Sequence, residues 1–322
     1  MRPPPSVTII SPTLASANSG NWHTAKRWAR CLASLARVNI DNEWRGASAD
    51  FLIALHARRS AASIAAFAER YPDRPLIVVL TGTDLYRDIA VDESAKRSLA
   101  LATRLVVLQD EGVMAVPPDY RAKTVVVYQS ARLLRPGRRS RRHFDLALVG
   151  HVRAEKDPLT AVRALRRLPA DLPVRLFHVG GDLDPQLAAD VRAAGAGDAR
   201  YVPIGAMSQG ATRQLIKRCY LLLLPSVMEG GANVLIEAVT SGVPVLGSDI
   251  PGNRGMLGGD YPGWFAVGDD ARLADLILAA ARDANYYAML SRRCAERVSL
   301  FSPAHECASV CSLLNPARQS NQ

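Results

Sequence analysis

The stretch CYLLLLPSVMEGGANVLIEAVTSGVPVLGSD, residues 219–249, reads as a strand, a glycine-bearing turn, a helix and a second strand. Its first run is continuously apolar and ends at Ser226. The pair Gly230 and Gly231 punctuates the chain, a helix starts with Asn233 near its N-cap, and a β-branched run returns at 243–249. Uninterrupted apolar strands separated by helices belong to parallel sheets buried on both faces, since a strand with one wet face alternates apolar and polar residues.

The same alternation extends upstream. FDLALVGH (144–151) and VRLFHVG (174–180) complete one set with the stretch above, and VTIISP (7–12), ADFLIALH (49–56), PLIVVLTG (75–82), RLVVLQD (104–110) and KTVVVYQS (123–130) form another. Two Rossmann-like α/β domains in tandem follow, residues 1–135 and 143–301, while periodicity leaves the helical segment from about Pro303 free to end the second domain or return to the first. Open α/β sheets bind ligands beyond the carboxyl ends of their strands, so two such domains facing across a cleft would present two sets of strand-end loops to it.

Composition narrows the function. The 322 residues, 48% hydrophobic and 22% charged, exclude a disordered tail and a disulfide-stapled miniprotein. No apolar run approaches the ~20 residues of a membrane span, and the opening leads straight into a strand, so a cytoplasmic protein is expected. Cys31, Cys219, Cys294, Cys307 and Cys311 are scattered and form no CxxC pair. They are expected to be reduced and mostly buried, with no zinc site. The net charge is +10, and of 40 basic residues only Lys26, Lys96, Lys123, Lys156 and Lys217 are not arginine. Anions are the expected partners. An aromatic content of 6% and the lack of an RNA-reading signature argue against nucleic acid, and no amphipathic basic patch argues for a membrane. The run RLLRPGRRSRRH (132–143), six arginines without an acid, is either a solvated interdomain linker or an anion-attracting rim.

Four strand-end loops stand out. After 219–226, glycines let a ligand approach the backbone and a helix start favours phosphate or sugar oxygens. Glu229 and Glu237 flank this turn, placed to accept hydrogen bonds from hydroxyls at two points of an elongated ligand. In GHVRAEKDP (150–158), Arg153 and Lys156 suit a departing diphosphate, while Glu155 and Asp157 suit a helix start. In the first domain, Asn18, Ser19, Gly20 and Asn21 precede a helix carrying Trp22, Thr24 and Trp28, either an anion-accepting start or an ordinary turn. Thr81, Gly82, Thr83 and Asp84 follow another strand, where Asp84 either caps the next helix or orients a substrate. His56 ends its strand beside Arg58 and Arg59, and Tyr128, Gln129 and Ser130 either floor the cleft or begin the linker.

At PSVMEGGANVLIEA the sequence resembles the retaining-type glycosyltransferases of family 4, whose second domain carries two Glu separated by seven residues after a strand. The resemblance spans nearly the whole chain, with the SDIPGN loop (248–253) and a terminal FSPAHE segment. It implies the GT-B arrangement, a helix over 302–322 returning to the first domain, and a nucleotide-sugar donor. Carried over, Glu229 would meet the donor sugar's hydroxyls and Glu237 those of the ribose. Amides and small residues at Gly20, Gly230, Gly231, Ala232, Asn233 and Val234 would hold the donor, and Arg153 and Lys156 its diphosphate. Two departures stand out: His151 occupies the place of an arginine directly after the loop glycine, and TGTDLYRD lacks a histidine common after the fourth strand.

The strings ALHARRSA, LTGTDLYRD, VVYQSA, GHVRAEKDP and MEGGANV are together similar to the selenosugar synthases of selenoneine biosynthesis, a branch of that family. This implies UDP-N-acetylglucosamine or another UDP-hexose as donor and selenophosphate as acceptor, giving a 1-selenosugar. The alternative is a conventional member of the family adding a hexose to a hydroxyl of a polysaccharide, lipid or small metabolite. A selenium nucleophile is anionic and polarizable, so it needs no strong base, and positive groups matter more. Asn18, Asn21, His56, Thr81, Thr83, Asp84, Arg87 and Gln129 are the candidates for the acceptor side. No cofactor or metal is expected, because cationic side chains and helix-end amides can serve the leaving group and no Asp-x-Asp ligand pair is visible. Oligomeric state is left open, and loss of Lys156 is expected to lower turnover far more than it disturbs folding.

Overall fold

The computed structural model describes residues 3–14 and 20–315. The chain forms two compact units, Met1–Ser130 with Ser302–Gln322, and Ala131–Phe301. In the first unit β1 (Ser6–Ile10), β2 (Arg37–Asp41), β3 (Phe51–Leu55), β4 (Leu76–Val79), β5 (Arg104–Val107) and β6 (Thr124–Val126) pair in parallel in the order β2-β1-β3-β4-β5-β6. In the second, β7 (Phe144–Val149), β8 (Val174–Val179), β9 (Tyr201–Gly205), β10 (Leu221–Leu224), β11 (Val245–Ser248) and β12 (Trp264–Phe265) pair in parallel in the order β12-β11-β10-β7-β8-β9.

Successive strand residues point to opposite faces, and the central strands bury both. Leu52, Ala54, Leu76, Val78, Leu105 and Val107 pack with Ile64, Phe67 and Leu99 of the helices Ala61–Arg70 and Glu93–Leu101. Their neighbours Ile53, Leu55, Ile77, Val79 and Val106 pack on the other face with Trp28 and Leu32 of the helix Gly20–Leu32 and with Val310. Two covered faces are the reason these runs are apolar throughout. The strands β2, β9 and β12, which continuous apolar patterning does not reveal, lie at sheet edges, and β2 and β9 are largely exposed or half-buried.

The last helix, Pro303–Ser312, packs on the first unit. Its Glu306 is 1% exposed and accepts hydrogen bonds from Trp28 Nε1 (3.0 Å), Arg27 Nε (3.0 Å) and Ser130 Oγ (2.5 Å). Next to it, Cys307 forms a disulfide with Cys31, with Cα atoms 4.9 Å apart. The expectation of five reduced cysteines is therefore corrected: the returning helix brings together two residues 276 positions apart, a pairing that spacing along the chain does not reveal. Cys219, Cys294 and Cys311 are free thiols. The arginine-rich run at 132–143 belongs to the second unit, where Leu134 N donates to Thr240 O (2.8 Å) and Gly137 N to Lys217 O (2.8 Å). Among the described residues no helix is long and apolar enough to cross a membrane.

Candidate functional site

The strands β7 and β10 are neighbours in the second sheet, so the loops at their carboxyl ends meet. After β7 the chain passes Gly150, where an added Cβ would lie 3.3 Å from Lys156 Cγ, so glycine lets the lysine stem lie against the backbone. A 3₁₀ turn, Ala154–Lys156, leads to Asp157 in the left-handed conformation (φ 41°). Asp157 caps the helix Pro158–Arg167, its carboxylate accepting from Thr160 N (3.4 Å) and Thr160 Oγ1 (2.6 Å). The cap explains how Lys156 is aimed, because it fixes the residue beside it. Val227 N donates to Glu155 O (3.0 Å), stitching the loop after β10 to this turn.

The stitch places Lys156 Nζ 2.5 Å from Glu229 Oε1, and Ser226 Oγ donates to the same oxygen at 2.7 Å. Both bonds converge on Oε1, so Oε2 keeps its capacity to accept from a hydroxyl. Beneath lies a buried polar layer that the sequence reading missed: Ser248 Oγ donates to Ser226 O, and Asn253 Nδ2 donates to Ser248 O at 2.9 Å. Gly252 is packed so tightly that an added Cβ would run into the carbonyl oxygen of Glu229.

The helix after the turn is Asn233–Val239, and its N-cap is Ala232 with no side-chain cap bond; Asn233 is the first helical residue rather than the cap. Gly230 is buried and Gly231 half-buried ahead of it, and Val234 follows in its first turn. The first N–H groups of any helix have no partner within it, so this start offers donors to a ligand. Glu237 is 6% exposed and accepts from Gln209 Nε2 at 2.7 Å. Arg153 has 41% of its side chain exposed, with Nε shielded, without a hydrogen-bond partner among the described residues, and 4.0 Å from Glu155 Oε2. His151 Nδ1 accepts from Gly181 N at 3.0 Å, and burial, with Arg153 and Lys156 nearby, holds its pKa below the ordinary value. The ring is thus neutral near pH 7, with its proton on Nε2. The expectation that no Asp-x-Asp pair is visible is corrected: Asp182 and Asp184 form one, and both acids are engaged, Asp182 pairing with Arg192 (2.7 Å) and Asp184 capping a helix at Leu187 N (3.0 Å).

In the first unit, Gly20 opens its helix and Asn21 follows. Gln129 Nε2 donates to Thr24 Oγ1 (2.5 Å), and Thr24 Oγ1 to Gly20 O (2.9 Å), while Gln129 Oε1 is buried with no hydrogen-bond partner among the described residues. Asn18 lies outside the described residues. His56 is buried with φ 74°, a left-handed backbone unusual for a side chain of this kind. Its Nδ1 accepts from Arg59 N (3.3 Å), so Nε2 carries the proton that reaches Thr83 Oγ1 (3.0 Å). Asp84 is fully buried, and its carboxylate does not cap the helix that follows. Its Oδ1 accepts from Thr81 N (2.8 Å) and Gly82 N (2.9 Å), and Oδ2 from Ala57 N (2.9 Å). It braces the loops after β3 and β4 and caps no following helix. Arg58 and Arg87 both reach Asp88, at 2.8 and 3.1 Å.

A family model described as "Glycosyl transferases group 1" matches residues 136–297. The chain belongs to the group 1 glycosyl transferases. This glycosyl transferase is also similar in fold to solved structures. HepE of Anabaena in complex with UDP and glucose has a TM-score of 0.78 at 15% identity, covering 96% of this chain and 99% of that one. Sucrose-phosphate synthase of Thermosynechococcus elongatus has a TM-score of 0.75 at 16% identity, covering 96% and 98%. The pneumococcal O-GlcNAc transferase GtfA in complex with UDP and GlcNAc has a TM-score of 0.67 at 18% identity, covering 82% and 57%. These likenesses show the fold, which is GT-B.

Proposed function

We propose that this glycosyl transferase moves a hexosyl group, N-acetylglucosamine or glucose, from a UDP-sugar to selenophosphate. The C1–Se bond forms as the C1–O bond to UDP breaks with its electrons leaving on the diphosphate; water then cleaves Se–P, releasing phosphate and the 1-selenosugar. The donor side rests on one observation, the Lys156–Glu229 pair held at the joined ends of β7 and β10 beside the glycine turn. A cation there neutralises the leaving diphosphate, with Arg153 beside it in sequence, and Glu229 Oε2 accepts from the sugar. HepE and GtfA, which share the fold, bind UDP.

The acceptor reading is supported by the strings shared with selenosugar synthases and by the state of the acid and the imidazole in the first unit. Asp84 has both oxygens on backbone N–H groups and His56 has both ring nitrogens engaged, which suits a nucleophile needing no base. Asn21, Thr81, Thr83, Arg87 and Gln129 remain the proposed acceptor contacts. The test incubates the protein with UDP-N-acetylglucosamine or UDP-glucose and selenophosphate, thiophosphate or phosphate, and reads the products by mass spectrometry. A selenium isotope pattern on the sugar, persisting in EDTA, is expected. UDP release onto a hydroxyl acceptor with none onto selenophosphate would replace this reading with the conventional one.

A further inference from the structure

The arginine-rich run has a use that the donor site does not absorb. Arg138, Arg139, Arg141 and Arg142 and, from a second segment, Arg218 line a concave surface of about 440 Å³ in the second unit. This is within the ~300–1,000 Å³ range of small-molecule sites. The run is pinned and not a loose linker. Gly137 N donates to Lys217 O (2.8 Å), and an added Cβ at Gly137 would lie 3.0 Å from both that oxygen and Arg218 Cγ, so glycine permits the contact. Tyr220 Oη donates to Ser140 O (2.8 Å), and Ser140 Oγ accepts from His143 N (3.0 Å). Arg139 donates to Gly242 O (2.9 Å) and its guanidinium stands over the rings of Tyr220 (5.2 Å) and Tyr287 (5.5 Å). An arginine fixed on aromatic rings forms a rigid floor.

Charge is unbalanced there. Among the described residues the only acid lining the concavity, Asp145, takes both Arg175 Nε (2.8 Å) and Nη2 (2.9 Å). Arg138, Arg141, Arg142 and Arg218 are exposed and pair with no carboxylate among the described residues. The site stands just before β7 and β10 begin, whereas Lys156 and Glu229 follow the ends of those strands. With six residues in β7, at ~3.3 Å each, the two lie roughly 15–20 Å apart at opposite ends of the sheet.

We propose that this cradle is a second anion site, for a small ligand carrying two or more linked phosphates, separate from the donor site. Fork-shaped guanidinium groups converging from two segments match phosphate oxygens, and a concavity of this size admits a di- or triphosphate. A duplex would want a protruding or extended basic face, and bases would want free rings to stack on, whereas Tyr220 and Tyr287 lie under Arg139.

The test is calorimetric titration of the full chain with sodium tripolyphosphate, in low salt. One saturable site is expected. Arg218→Gln and the double variant Arg141→Gln/Arg142→Gln should each weaken it about tenfold or more. Arg218→Lys, which keeps charge without the fork, should fall between. UDP present throughout should leave the tripolyphosphate affinity unchanged, so this result stands whether or not UDP is the donor nucleotide. Lack of saturation, wild-type affinity in the variants, or displacement by UDP would overturn the proposal. Tighter binding to duplex DNA or to phosphatidylglycerol vesicles with the same arginine dependence would also overturn it, assigning the cradle to a macromolecule.

Discussion

Replacing Lys156 by alanine removes the ammonium from a carboxylate that has little water. Glu229 has 9% of its side chain exposed and Lys156 18%, with 2.5 Å between Nζ and Oε1. Breaking a fully buried pair from one side costs about 3–5 kcal/mol. Ser226 still donates to Oε1 and the lysine end is partly wet, so about 2–3 kcal/mol is expected here. For a domain of this size that lowers the melting transition by roughly 5–10 °C. The pair thus gives Lys156 a part in stability, beside the expectation that its loss lowers turnover far more than it disturbs folding. Adding Glu229→Gln removes the stranded charge, so the double variant should recover about 1–2 kcal/mol of the loss. Urea unfolding followed by circular dichroism supplies the four corners of the cycle, and UDP titration of the folded single variant supplies the binding side. A Lys156→Ala protein as stable as wild type, or a double variant no more stable than the single, would refute a desolvated pair. Turnover per folded molecule should fall by about 10²–10³ if the lysine also serves the leaving group.

Three further outcomes are expected. Cys307→Ser should destabilise the first unit by about 2–4 kcal/mol, against a loop-closure ceiling of about 5–6 kcal/mol for a separation of 276 residues, and dithiothreitol should lower the wild-type melting temperature but leave the variant's unmoved. His56, His151 and His178 have pKa values held below 6.5 chiefly by burial, so the unfolded chain takes up protons first: stability is full above about pH 6.5 and falls as pH drops through the folded values, by up to about 1.4 kcal/mol per pH unit per histidine. Urea midpoints that are flat between pH 7.5 and 5.5 would contradict this. Gly252→Ala should push on the Glu229 backbone and cost about 1–3 kcal/mol with weaker UDP binding; unchanged UDP affinity in calorimetry would show that the contact relaxes freely.

The central strands were legible because both faces are covered, which makes apolar continuity a direct record of burial. The edge strands β2 and β9 carry polar and exposed residues, as RVNID does at 37–41, and leave no such record. The loop glycines, Lys156 and Glu229 stood out by their place after strands, but their direct bond did not, since it depends on β7 and β10 being neighbours. Ser226, Ser248 and Asn253 meet for the same reason, through the pairing of β10 with β11. Asp84 reads as a cap because local spacing looks forward, while its carboxylate reaches back 27 residues to Ala57 across adjacent strands. His151 carried no periodic or compositional signal beyond standing in an arginine's place.

The bond between Cys31 and Cys307 closes most of the polypeptide into a macrocycle that threads both units. A single proteolytic nick anywhere inside that ring, in either sheet's loops, would leave one covalent molecule with no fragment free to diffuse away. Such cleavage would stay invisible on an unreduced gel and appear as two pieces once thiol is added.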